Sequence, residues 1–100
     1  MNSVNLMGRF GSDPKSKELE KDGKKFTSMY GSIAVPHIND TYWINIHATG
    51  TTADNIVKYF KKGDRIALTG ELATYKDANG NYTYNVEVKS FDFVEKKEGE

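Results

Sequence analysis

Residues 42–49, with the sequence YWINIHAT, alternate strictly between two kinds of side chain. Alternation with a period of two is typical of a β-strand, whose successive side chains point to opposite faces. One face is apolar and consists of Ile44, Ile46 and Ala48. The other face places the only tryptophan of the chain beside polar groups: Trp43, Asn45, His47 and Thr49. Such a face suits a stacked, hydrogen-bonded ligand, whereas coverage of Trp43 by a neighbouring loop or subunit is the structural alternative.

Length and composition limit the classes of protein to which this chain can belong. Its 100 residues, of which 37% are hydrophobic, predict one folded domain with a modest core. The absence of cysteine excludes disulfides, thiolate zinc sites and cysteine nucleophiles. No apolar run is as long as a membrane span and the N-terminus does not resemble a signal peptide, so we expect a cytoplasmic protein without membrane contact. Basic and acidic residues balance at 14 each, so there is no global basic field to attract a nucleic acid.

The remaining patterns predict further strands and one helix. Strands are expected to start at Val4 and to span residues 26–35, 65–75 and 82–88, and residues 91–94 end the ordered part. The segment 15–25 is polar and ends in a turn signal. Pro36 is expected to close the second strand, and Asn79-Gly80 predicts a hairpin turn.

One segment changes to a helical period. Apolar residues at i, i+3, i+4 and i+7 predict an amphipathic helix over residues 51–62, and they are Ala53, Ile56, Val57 and Phe60. Thr51 or Thr52 is expected to cap its start, and Gly63 to end it. Asp54 suits the positive N-terminal end of such a helix, and Lys61 and Lys62 suit the negative C-terminal end.

The element order is three strands, a helix and two strands. A small antiparallel sheet with one helix in that place can close into a five-stranded barrel, the oligonucleotide/oligosaccharide-binding (OB) fold. We therefore predict an all-β OB-fold domain over residues 1–94 and a short charged tail over residues 95–100.

Three stretches resemble the bacterial and phage single-stranded DNA-binding proteins of this fold. Residues 2–10 (NSVNLMGRF) followed by Asp13-Pro14 are similar to the opening strand of that family. Residues 43–46 (WINI) with 53–64 (ADNIVKYFKKGD) are similar to its third strand and helix, and residues 66–72 (IALTGEL) to its fourth strand. The order and spacing of these stretches make the resemblance specific.

The resemblance implies sequence-independent binding and protection of single-stranded DNA during replication, recombination and repair. Trp43 stands where the family stacks an aromatic ring on a base, and stacking on a base does not read sequence. Asn45 and His47 are expected to contact base edges or phosphate. The other residues expected to contact DNA are Tyr30 and Phe26 on the second strand, Tyr75, Lys76 and Tyr82 at the last hairpin, and the cations Arg9, Lys24 and Lys25. Burial of Phe26 and Tyr30, or packing of Tyr82 on the hairpin or a subunit, is the alternative for those rings.

The resemblance also implies partners. The opening strand of the family is an edge that pairs with a second copy, so we expect a homotetramer or at least a dimer. The expected contact residues are Asn2, Ser3, Val4, Asn5, Leu6 and Met7. Replication or recombination proteins are further expected partners.

The chain departs from the family pattern in three places. Thr49 stands where a second aromatic residue is common, and the connection after the second strand is cut to residues 37–41. The glycine- and proline-rich tail with a terminal phenylalanine is missing, so it was either removed or is never present in a compact phage- or plasmid-type variant.

The sequence gives little support to other functional classes. The candidates for a catalytic role are His37, Asp40 and His47, but no spacing among them resembles a metal or catalytic motif. We expect no enzyme activity, no catalytic residue, no metal and no cofactor. The alternative function is an OB-fold protein-interaction or primosome-type module with weak nucleic-acid binding, or a sugar binder on the same fold.

Overall fold

The computed structural model describes residues 1–94, which form six β-strands and one α-helix. In chain order they are β1 (Val4–Phe10), β2 (Lys15–Lys21), β3 (Lys24–His37), β4 (Asp40–Thr49), α1 (Gly50–Tyr59), β5 (Arg65–Lys76) and β6 (Tyr82–Phe93). The predicted all-β class with one helix before the last two strands is confirmed. The charged tail over 95–100 lies outside the described residues.

The extra strand relative to the five predicted is β2. The segment expected to be merely polar pairs along its whole length with β3, from Lys15 opposite Tyr30 to Lys21 opposite Lys24. The end of β1 pairs with the same strand, because Phe10 lies opposite Ile33. β1 and β2 are therefore two parts of one long strand that bends at residues 11–14. Counted together, they give the five strands of the predicted barrel.

Strand pairing closes the barrel. The strands follow each other in the order β1, β5, β6, β4 and β3, and β3 returns to β1. β4 and β6 are parallel, with Ile46 opposite Val86, and the other pairs are antiparallel. Gly70 lies at a bulge between β5 and β6, where a β-carbon would stand 2.0 Å from the Glu87 carbonyl oxygen. The backbone of β6 therefore comes close to Gly70 at this bulge.

The core lies inside this barrel and under the helix. Its fully buried apolar residues are Phe10, Met29, Ile33, Ile46, Ala48, Ala53, Ile56, Phe60, Ile66, Leu68, Val86 and Val88. Leu72 is on the same strand as the buried Ile66 and Leu68, but it is 46% exposed. It lies past the bulge, toward the hairpin end of β5, where fewer neighbours cover it.

The helix begins and ends earlier than predicted. Because its N-cap residue is Thr49, neither Thr51 nor Thr52 caps it. The Thr49 side chain makes no capping hydrogen bond. Its first turn has no acidic residue, and Lys61, Lys62 and Gly63 follow its C-terminal end. Gly63 has φ +90° and donates its N–H to the carbonyl of Phe10 at 2.8 Å, which ties the turn after the helix to β1. The apolar stripe is as predicted, because Ala53, Ile56 and Phe60 are buried.

The β3–β4 and β5–β6 hairpins differ in how well they were predicted. Pro36 does not close β3, since that strand continues to His37 and pairs with β4 up to Asp40. β5 and β6 continue past the core to a turn at residues 77–81, where Gly80 has φ +81° as the Asn-Gly signal predicted. The Asp77 carboxylate accepts hydrogen bonds from the N–H groups of Asn79 and Asn81 at 2.9 and 3.0 Å.

Candidate nucleic-acid interface

Trp43 lies on the outer face of β4 with 62% of its surface exposed. The alternation predicted for this strand is confirmed, because Ile46 and Ala48 are buried while Trp43 and Asn45 are exposed. The indole reaches across β3 to the bend between β1 and β2. A β-carbon built on Gly11 would lie 2.5 Å from its Cζ3 atom, so only a glycine leaves room for the ring in this position. The indole is therefore supported on one side and open on the other.

The outer face continues from Trp43 along β3 and β4. Asn45 lies opposite Ser32, and His47 lies opposite Tyr30, whose ring centroid is 4.8 Å from that of His47. Tyr30 is 44% exposed. The structure therefore brings four of the predicted DNA-contact residues onto one surface: Trp43, Asn45, His47 and Tyr30. We call this surface the outer β3–β4 face.

His47 is held at both ring nitrogens. Its Nε2 atom lies 2.9 Å from the Ser28 hydroxyl oxygen, and its Nδ1 atom lies 2.7 and 2.8 Å from the two Glu87 carboxylate oxygens. The expected contact of His47 with a base edge or phosphate has no free ring nitrogen to use in this arrangement. Neither Ser28 nor Glu87 was predicted, because their contacts with His47 depend on pairing between strands that are distant in sequence.

The last hairpin divides its predicted residues between two faces. Tyr75 lines a shallow cavity of about 260 Å³ together with Tyr30, His47 and Asn85. Lys76 and Tyr82 lie directly opposite each other on the other side of the hairpin, with the ammonium 5.3 Å from the ring centroid. Only Tyr75 of these three therefore shares a surface with Tyr30.

The predicted cations Arg9, Lys24 and Lys25 lie at two separate places. Arg9 is in one row with Ala34 and Trp43 across β1, β3 and β4, and its guanidinium donates to the Gly63 carbonyl at 2.8 Å. Lys24 and Lys25 lie at the tip of the β2–β3 hairpin, where the Lys25 ammonium is 3.7 Å from the Glu18 carboxylate. Phe26 is half-buried on β3 beside Leu19 of β2. The structure does not bring this hairpin tip close to Trp43.

One cation on the outer β3–β4 face was missed. The Lys17 ammonium lies 5.7 Å from the centroid of the Tyr30 ring, because β2 runs beside β3. The period-two spacing of Lys15 and Lys17 is the sequence signal for this position, but a segment with so few apolar residues does not by itself predict a strand. Lys17 therefore adds positive charge next to Tyr30.

A larger cavity of about 430 Å³ opens at the hairpin end of the barrel. Its walls are mainly apolar and include Leu6, Ile44, Leu72 and Tyr84, with Trp43 at its border. Asn85 lines both this cavity and the one beside Tyr30. Its Oδ1 atom is buried and accepts no hydrogen bond from the part of the chain that the structure describes.

The three residues considered for a catalytic role, His37, Asp40 and His47, do not lie close together. His37 stacks on Tyr42 with ring centroids 4.5 Å apart, and Asp40 accepts the backbone N–H of Thr41 at 2.7 Å. Both lie at the β3–β4 hairpin, far along β4 from His47. Within residues 1–94, no three His, Asp or Glu side chains are grouped to hold a metal ion. No helix in that range is long and apolar enough to cross a membrane.

A small closed barrel with one helix and an exposed aromatic face is an OB-fold binding domain. Residues 1–94 match the Single-strand binding protein family, and the chain belongs to that family, as the resemblance implied. Single-stranded DNA-binding protein 1 of Clostridium acetobutylicum is 32% identical, over 97% of this chain and 96% of that protein. A single-stranded DNA-binding protein of Clostridium perfringens is 30% identical, over 99% of this chain and 69% of that protein.

The fold also matches a solved structure. A deletion mutant of the single-stranded DNA binding protein from Thermus aquaticus superposes with a TM-score of 0.81 at 21% identity. The match covers 97% of this chain and 42% of that chain, so this chain spans less than half of the Thermus protein. The likeness confirms the predicted OB fold.

Proposed function

We propose that this chain binds single-stranded DNA without reading its sequence, through the outer β3–β4 face. The observation that carries the proposal is the exposure of Trp43, since tryptophan is usually largely buried. The contact with Gly11 supports one side of the indole and leaves the other side exposed. Each base that stacks on an aromatic side chain contributes about 1–3 kcal/mol and any base can do so. The names of the relatives from Clostridium support the same ligand.

The other contacts follow from their positions around Trp43. Asn45 lies next along the same face and offers an amide to a base edge or phosphate. Tyr75 joins the surface from β5, and Arg9 lies in the row of Trp43 at its other border. Lys76 with Tyr82 and Lys24 with Lys25 are proposed as more distant contacts, which a longer strand would reach after leaving Trp43.

Self-association is proposed through β1. One side of β1 pairs with β5 over Val4 to Arg9, while β3 pairs with β1 only at Arg9 and Phe10. Among the described residues, the other side of Val4 to Met7 pairs with no strand, so it can pair with β1 of a second copy. The Asn2 side chain is already used within the chain, because it donates to and accepts from the Leu72 backbone at 2.8 and 2.9 Å. The backbone and the half-exposed Met7 would then make the contact.

Protection of single strands during replication, recombination and repair is the proposed cellular role, in the cytoplasm of a bacterium or a phage-infected host. Replication or recombination proteins are proposed as partners of the DNA-bound form. The absence of a net charge fits a protein whose affinity depends strongly on stacking.

The testing experiment compares oligo-dT with duplex DNA and an oligosaccharide as ligands. Because a base stacked on the indole alters its excited state, we expect strong quenching of Trp43 fluorescence by oligo-dT and little by the other two. Unchanged emission at saturating oligo-dT would exclude the stacking role of Trp43. Binding to none of the ligands would favour the protein-interaction module.

A further inference from the structure

Three strands are joined on the outer face by one chain of hydrogen bonds. Ser28 of β3, His47 of β4 and Glu87 of β6 follow one another at 2.9 Å and at 2.7–2.8 Å. The β4–β6 contact exists because these strands are parallel neighbours with His47 opposite Glu87. A carboxylate accepts hydrogen bonds, so Nδ1 of His47 donates to Glu87, while Nε2 is paired with the Ser28 hydroxyl. The hydrogen bonds at both ring nitrogens therefore fix the orientation of the imidazole.

The same order of groups occurs in hydrolases that use a serine nucleophile, but this serine is inaccessible. Ser28 is 0% exposed, so no substrate carbonyl can reach its hydroxyl. His47 and Glu87 are also mostly buried, whereas Tyr30 beside them is 44% exposed. The Tyr30 ring is the solvent-exposed group next to this chain of hydrogen bonds, and it lies against the imidazole with an interplanar angle of 43°.

Glu87 is an acid on a surface proposed to meet phosphates, where a negative charge by itself would weaken binding. Its neighbours include Glu71, which lies opposite on β5 and pairs with Lys89 at 3.4 Å. The presence of a carboxylate at this position is explained by its two contacts with Nδ1 of His47. Without them the imidazole could rotate, and Tyr30 would lose its support.

We propose that Tyr30 is a second base-stacking ring and that Ser28, His47 and Glu87 are positioning residues that hold it. This inference rests on the proposed single-stranded DNA function and adds a second stacking site to Trp43. The cavity of about 260 Å³ between Tyr30, Tyr75 and Asn85 supplies the space beside the ring. Lys17, 5.7 Å from the ring centroid, supplies a cation for the adjoining phosphate.

The experiment measures binding of fluorescein-labelled oligo-dT by anisotropy. Tyr30→Ala is expected to weaken binding about fivefold to a hundredfold, and Tyr30→Phe, which keeps the ring, to leave it within about twofold of the original protein. Glu87→Ala and Glu87→Gln form a matched pair, because each removes one negative charge and only glutamine can still accept from Nδ1. We expect Glu87→Ala to bind several-fold more weakly than Glu87→Gln.

Double variants separate positioning from general damage. The difference between Glu87→Ala and Glu87→Gln should disappear when Tyr30 is alanine and persist when Trp43 is alanine, because only Tyr30 depends on the hydrogen-bond chain. A purely structural role of Glu87 would weaken binding equally in both backgrounds, and that result would overturn the proposal. If Glu87→Ala does not fold, Ser28→Ala with Ser28→Thr as its control replaces the pair, with the same expectations.

The two proposals fail in different ways. Absence of oligo-dT binding by the unaltered chain would overturn the proposed function together with this inference. Normal binding with quenched Trp43 fluorescence, but no loss in Tyr30→Ala, would overturn only the second stacking ring.

Discussion

Trp43 and Gly11 are in direct contact across the outer face, with the indole Cζ3 atom at 2.5 Å from the position that a Gly11 β-carbon would occupy. The contact joins β4 to the bend between β1 and β2, although β3 lies between them. Gly11 has no positive φ, so its backbone accepts other residues and the indole alone requires the glycine. The orientation of the proposed principal stacking ring is thus set by a residue far from it in sequence.

Gly11→Ala should therefore weaken DNA binding by displacing the indole. Moving a side chain away from its preferred rotamer costs about 0.5–1.5 kcal/mol, and we expect a loss of that size in the free energy of binding oligo-dT. Thermal unfolding should change little, because the new methyl group meets only the exposed ring. Repeating the substitution with phenylalanine at position 43 is the control, since the smaller ring leaves more room. An equal loss in both backgrounds would contradict the proposed contact.

The two faces of β4 should respond differently to substitution. Trp43→Ala should lower the affinity for oligo-dT by about 1–3 kcal/mol and leave the domain folded, because the indole is mostly exposed. Ile46→Asp should unfold the domain, since it places an unpaired charge in the core. Circular dichroism and anisotropy titrations measure the two effects. A folded Ile46→Asp variant would refute the assignment of this face to the core.

The difference between predicted and observed elements has a physical cause in β2. Its sequence KSKELEK has one apolar residue, Leu19, and that side chain is only half-buried. Pairing with β3, not burial, stabilises this strand, so no hydrophobic pattern indicates it. By contrast, β4 is half-buried and alternates, and α1 buries a continuous stripe, so both were predictable from local sequence.

Local sequence patterns also predict only part of the candidate site. Trp43 and Asn45 follow from the alternation within one strand. The hydrogen bonds of His47 with Ser28 and Glu87 depend on strand neighbours that are 19 and 40 residues away in sequence. Pairing between β4 and β6 is a property of the closed barrel and has no local signal.

Association through β1 predicts a dimer or tetramer at micromolar concentration. Met7 is 51% exposed on this strand, so Met7→Lys would place a charge in the contact and should shift the protein toward the monomer. Met7→Leu is the control that keeps the apolar surface. Light scattering coupled to gel filtration measures the mass of each variant. A monomeric original protein would exclude association through β1.

The salt dependence of binding should be shallow because the chain has no net charge. For single strands, the slope of log affinity against log salt is about 0.7 per neutralised phosphate, so a few lysine contacts give a modest total. Lys24→Glu, Lys25→Glu and Lys76→Glu, made singly, should each lower the slope if that residue meets the backbone. Lys25 already lies 3.7 Å from Glu18 and Lys76 lies 5.3 Å from the Tyr82 ring, so each would have to leave or share that contact.

Titrations with oligo-dT across a salt series decide where the strand runs. Lys17→Glu belongs in the same series, because the Lys17 ammonium lies beside Tyr30 while Lys24 and Lys25 lie at the hairpin tip. A lower slope for Lys17→Glu alone would confine the strand to the outer β3–β4 face. Unchanged slope and affinity in Lys24→Glu, Lys25→Glu and Lys76→Glu would show that the strand does not extend to either hairpin, even if quenching shows that Trp43 still stacks. A steep slope in the original protein would instead indicate a wrapped strand held mainly by phosphate contacts.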